Sequence, residues 1–131
     1  MHRNLPIDVQ VKHFIALDNI NDIIISNCYP TDEEIQSIGN MRKDLVEFDI
    51  KLVDGVSEVE KKILFDELHF NRGDIVIESS EYGSYSGELQ IVLKDMENSG
   101  KSNVVGRIRE EEIFIIDYIK PWQKFKFKEI K

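Results

Sequence analysis

Three carboxylates, two tyrosines and two glycines crowd into one short stretch, Glu78-Ser79-Ser80-Glu81-Tyr82-Gly83-Ser84-Tyr85-Ser86-Gly87-Glu88-Leu89-Gln90. Paired carboxyls serve glycoside hydrolysis, one as acid and the other as base or nucleophile, when their surroundings separate their pKa values. Sequence separation between Glu81 and Glu88 does not by itself set the gap between carboxylates. The plainer alternative is a solvated loop, in which glycine turns the chain and the tyrosine rings cover the core. Other chemistry-bearing residues are sparse. His2, His13 and His69 have no carboxylate or cysteine at ligand spacing, so no metal site is expected. Cys28 has no activating base nearby in sequence and reads as a packing residue. Arg72-Gly73-Asp74 spells an adhesion tripeptide, but it reads here as a turn before Ile75.

The elements that must position these residues change character along the chain. Pro6 suits a first helical turn, and Val9, His13, Ala16 and Leu17 share one face at helical spacing. Ile23-Ile24-Ile25 is a continuous apolar run, the pattern of a strand buried on both faces. Thr31-Asp32-Glu33-Glu34 and Ser57-Glu58-Val59-Glu60 are capping boxes that open helices. Val46, Phe48, Ile50 and Leu52 alternate with polar residues as a strand with one wet face. Ile75 to Ile77 and Leu89 to Leu93 are further strands, and Val104-Val105 opens another short one. Glu110 to Tyr118 is expected to form a helical turn ended by Pro121. In the last stretch Phe125 and Phe127 alternate with Lys124, Lys126 and Lys128, reading as a terminal strand whose lysines guard an open side.

The chain has 131 residues, 41% hydrophobic and 32% charged, which is the composition of a globular domain. A net charge of −8 opposes binding to nucleic acid. No apolar run approaches the ~18 residues of a membrane span. The first residues lack an apolar signal core, and the single cysteine excludes an internal disulfide. A cytoplasmic protein is expected, with neither nucleic acid nor membrane as partner.

Four runs together resemble the carboxyl-terminal domain of the 6-phospho-N-acetylmuramidase family. They are Arg72-Gly73-Asp74-Ile75-Val76-Ile77, Glu81-Tyr82-Gly83-Ser84-Tyr85-Ser86-Gly87-Glu88-Leu89-Gln90-Ile91, Asn103-Val104-Val105-Gly106-Arg107-Ile108, and Tyr118-Ile119-Lys120-Pro121-Trp122. Members of that family, formerly labelled outer surface proteins, join a TIM barrel to a cyclophilin-like β domain. They cleave a 6-phosphorylated N-acetylmuramic acid–N-acetylglucosamine disaccharide in bacterial peptidoglycan recycling. Ile20 to Glu34 is similar to the last barrel strand and following helix, with Asn27 at the strand's carboxyl end. The resemblance therefore implies an α+β fold: residues 1–44 the end of a TIM barrel, 45–131 a mainly antiparallel cyclophilin-like β domain.

Three departures qualify it. A full barrel takes eight strand–helix units and roughly 250 residues, so most of the catalytic scaffold is missing from these residues. The segment like His69 to Asp74 abuts Ile75, as if part of the β domain were deleted. Ser84 stands where a longer residue, often Arg or Gln, is expected.

The resemblance assigns Asn27, Arg72, Glu81, Tyr82, Tyr85 and Glu88 to contact with a phosphorylated amino-sugar disaccharide, with no catalytic residue and no cofactor. Arg72 would pair with anionic oxygens, and the tyrosines would supply stacking faces. A barrel strand without its sheet would leave apolar surface on residues 7–38, so self-association is expected there. Two other readings stand beside this one: a free-standing phosphosugar- or protein-binding module, and a degenerate gene remnant without activity.

Overall fold

The computed structural model describes residues 2–26, 29–66, 91–92, 97 and 103–131, and the strand backbone at 68–69, 76–77 and 89–90. In chain order the elements are α1 (Ile7–Leu17), α2 (Asp32–Gly39), β1 (Val46–Leu52), α3 (Glu58–Leu64), β2 (Leu68–His69), β3 (Val76–Ile77), β4 (Leu89–Gln90), β5 (Gly106–Ile108), the 3-10 helix η1 (Glu110–Tyr118) and β6 (Lys124–Glu129). The fold is α+β.

Alternation in β1 places Val46, Phe48 and Ile50 in the core, where they are almost inaccessible. The strand lies inside a four-stranded sheet of order β2-β6-β1-β5. It pairs in parallel with β6, from Val46 opposite Phe125 to Ile50 opposite Glu129. On its other side it runs antiparallel to β5, with Leu52 opposite Gly106. Phe48, Phe125 and Phe127 meet at centroid distances of 5.6–6.2 Å. Against them pack Val9 and Ala16 of α1, Leu64 of α3, and Ile115, Ile116 and Ile119 in and after η1. Helix α1 thus shares one core with the sheet.

Both capping boxes form as their sequences dictate. Glu34 N–H donates to Thr31 Oγ1 at 3.2 Å while Thr31 N–H donates to Glu34 Oε2 at 2.8 Å. Ser57 and Glu60 repeat the exchange at the start of α3. In η1 the expected helical turn is a 3-10 helix. Its three-residue period aligns Glu112 and Ile115, both fully buried, on one line.

Three local expectations are corrected. The lysine-bearing terminal strand is not at an edge: β6 has β1 on one side and β2 on the other. Its ladder with β1, the longest in the sheet, is parallel. The run Ile23-Ile24-Ile25 forms neither helix nor strand; Ile24 is 88% exposed, and Ile20, Ile23 and Ile25 are also exposed. Among the described residues no strand pairs with it, and an extended apolar run without a ladder has nothing to bury against. Finally, the strand expected at Val104-Val105 begins at Gly106. Among the described residues no helix is long and apolar enough to cross a membrane.

Candidate functional site

Asn27, Arg72, Glu81, Tyr82, Tyr85 and Glu88 all lie outside the described residues. Their flanks are placed. Ile77 pairs antiparallel with Leu89, and Val76 with Gln90, so the chain carrying both tyrosines and Glu81 and Glu88 leaves and re-enters one small two-stranded sheet. Arg72 falls between β2 and β3.

Among the described residues, the densest set of titratable groups joins α1, β1 and η1. Lys12 lies on the buried stripe of α1, one helical turn from Val9 and from Ala16. Its ammonium donates to Glu112 Oε1 at 2.5 Å and stands 3.1 Å from Asp49 Oδ1. The second oxygen of Glu112 accepts from the Asp49 backbone N–H at 2.7 Å. Arg109 brings its Nη1 to Asp8 Oδ2 at 2.7 Å, Asp49 Oδ2 at 3.4 Å and Glu112 Oε1 at 3.9 Å. Its Nε lies 3.4 Å from Glu111.

The electrostatics follow from depth. Burial pushes the Glu112 carboxyl up to about 7, against the pull of Lys12 and the Asp49 N–H and with the help of the Asp49 charge. Burial works against the charge of Arg109, but Asp8, Glu112 and Glu111 outweigh it and hold the guanidinium above its ordinary value.

One oxygen each from Asp8, Asp49 and Glu112 lie within 4.8 Å of one another, a spacing that could hold a metal ion. Lys12 and Arg109 already direct their cationic groups at those oxygens. A carboxyl with no solvent exposure, braced by an ammonium and a backbone N–H, has no face to offer a substrate. The cluster is a structural pin holding α1 to the sheet and η1. Sequence reasoning missed it, although Lys12 interrupting the apolar stripe Val9, His13, Ala16 was a signal.

Beside the pin, His13 is buried against Phe114 and Tyr118, with its Nδ1 2.7 Å from His2 Nε2. Its own Nε2 has no hydrogen-bond partner among the described residues. Burial lowers the His13 pKa, and the His2 charge lowers it further.

Two family descriptions match the chain, in order. Residues 1–40 match the N-terminal and residues 70–128 the C-terminal part of the 6-phospho-N-acetylmuramidases. The chain belongs to this family. A solved structure of an uncharacterised B. cereus protein is similar at 36% identity with a TM-score of 0.79. The match covers 98% of this chain and 46% of that one, so the chain spans about half the length of that relative. Curated proteins yield no significant match.

Proposed function

We propose that these 131 residues are the sugar-holding, non-hydrolysing portion of a 6-phospho-N-acetylmuramidase-type glycoside hydrolase, acting in cytoplasmic peptidoglycan recycling. The observation that carries this reading is the succession of the two family matches, 1–40 and then 70–128. Residues 1–44 correspond to the end of the barrel and 45–131 to a cyclophilin-like domain. Asn27, Arg72, Glu81, Tyr82, Tyr85 and Glu88 face the phosphorylated disaccharide. The pairing of Ile77 with Leu89 supports this by bringing together the two ends of the segment that holds four of them.

Hydrolysis needs an acid and a nucleophile fixed across the scissile bond, and in a TIM barrel these project from several strand ends. Residues 20–34 resemble one barrel strand and its following helix, and Asn27 is neither acid nor base. Exposure of Ile20, Ile23, Ile24, Ile25, Tyr29 and Ile35 supports self-association through this part of the chain.

The test is calorimetric titration of the purified chain with the 6-phosphorylated disaccharide, beside a hydrolysis assay. Binding that Arg72→Ala weakens, without turnover, is expected. Absence of binding refutes the sugar-holding role. Turnover lost in Glu81→Gln or Glu88→Gln refutes the non-catalytic one.

A further inference from the structure

The chain contains a single tryptophan, Trp122, and it is 65% exposed. Its backbone sits at φ 68°, in the left-handed region. Bulky side chains avoid that region because Cβ crowds the following carbonyl. Lys120-Pro121-Trp122-Gln123 is a β-turn closed by Gln123 N–H donating to Lys120 C=O at 3.0 Å. Proline at its second position and positive φ at its third mark a type II turn, whose third position ordinarily calls for glycine. Here the position carries the largest side chain in the repertoire, pointed largely at solvent.

Strain of this kind persists only where surrounding contacts over-determine the backbone, and they do. Lys120 N–H donates to Gln123 Oε1 at 2.9 Å across the turn. Gln123 Nε2 then donates to Ala16 C=O at 3.1 Å, and Lys120 Nζ to Leu17 C=O at 2.8 Å. Both acceptors belong to the last turn of α1, whose carbonyls lack partners within the helix. The turn is thereby fastened to the helix end, and α1 itself is fastened by the Lys12–Glu112 pin. An exposed indole on a fixed turn results.

Resting on the proposed function, we infer that Trp122 is a stacking platform for the pyranose ring of an amino sugar, a contact distinct from Arg72, Glu81, Tyr82, Tyr85 and Glu88. The axial C–H groups of a pyranose present a weakly positive face, which suits the electron-rich face of an indole.

The lone tryptophan makes its own reporter. Titrating the whole chain with N-acetylmuramic acid 6-phosphate should shift Trp122 emission to the blue saturably, while inorganic phosphate leaves it unmoved. Trp122→Gly should raise the unfolding midpoint by about 3 °C through relief of strain. It should also weaken sugar binding in calorimetry by roughly tenfold, the loss of one stacked ring. A variant that is more stable and binds less well separates a binding role from a structural one. Calorimetric sugar binding with unmoved emission, and undiminished in Trp122→Gly, overturns the inference and leaves the proposed function standing. No sugar binding by the unsubstituted chain removes both. An emission change with inorganic phosphate alone also overturns the inference, since the turn would then be sensing the anion.

Discussion

Lys12 and Glu112, 100 residues apart in sequence, meet at 2.5 Å inside the protein. Neither is more than 4% exposed. Two charges removed from water together gain Coulomb energy, but that gain rarely exceeds their combined desolvation. What the pair supplies is location. The ammonium fixes the rotation of α1 about its axis, and the carboxylate fixes where η1 meets the Asp49 backbone of β1.

Removing one partner should cost far more than removing both. Lys12→Met leaves Glu112 buried without its principal counter-charge, and a loss of about 3–5 kcal/mol is expected. The double variant Lys12→Met with Glu112→Leu should recover most of it. Urea unfolding of the two variants and the parent checks the difference. Equal losses in the single and double variants would show that the pair contributes net stability.

The pH dependence has a definite sign. The folded-state pKa of Glu112 is raised from 4.5 to about 7, so the fold favours the protonated carboxyl. That contribution is fully present below pH 4.5 and is lost as pH rises through about 7. Relative to Glu112→Gln, the parent should therefore lose stability from pH 5 to pH 8, read as the difference between their unfolding midpoints. A difference that stays constant over this range would mean that Lys12 holds the carboxyl ionised throughout.

Local signals in the sequence were sound wherever the relevant physics is local. Thr31 with Glu34 and Ser57 with Glu60 form the bonds their spacing requires. Val46, Phe48 and Ile50 alternate into the core. Where physics is long-range, the signal was silent. Nothing near Lys124 to Glu129 states that β6 will lie between two strands, or that its main partner will be the parallel β1. Lysine on alternate positions suits either an edge or an interior strand with one wet face. The Ile23-Ile24-Ile25 run failed for a related reason, since burial on both faces needs neighbours that only tertiary structure supplies. The buried pin was missed because Asp49 and Glu112 each look like solvent-facing charges until Lys12 and Arg109 are brought beside them.

The His2–His13 contact should open in acid. A buried Nε2 with no partner among the described residues is best left unprotonated, which places the His13 proton on Nδ1, donating to His2 Nε2. Protonating His13 would put a second N–H where the described residues offer no acceptor, and burial together with the His2 charge already lowers its pKa. A histidine whose folded pKa is depressed contributes stability above its ordinary 6.5, and that contribution is lost as pH falls below it. Ring-carbon proton shifts should show His13 titrating below 6.5. His2→Gln should move that titration upward without restoring it fully, because burial is the larger cause. Full restoration would assign the shift to His2 alone.

Gly106 should tolerate no side chain. It stands opposite Leu52 where β5 joins the edge of the sheet, with β1 pressed against it. A Cβ there would lie 2.8 Å from both Cγ1 and Cδ1 of Ile50 and 2.9 Å from the Lys51 carbonyl oxygen. The Ile50 atoms belong to a nearly inaccessible core side chain, and the carbonyl belongs to the central strand, so neither can retreat without disturbing its neighbours. Gly106→Ala should cost about 1–3 kcal/mol, the usual penalty of overpacking, visible as a lower unfolding midpoint. Adding Ile50→Val removes the Cδ1 methyl and should return only part of the loss, because Cγ1 and the carbonyl contact remain. Complete rescue would place the whole cost in the side chain and show that β5 can shift along its edge.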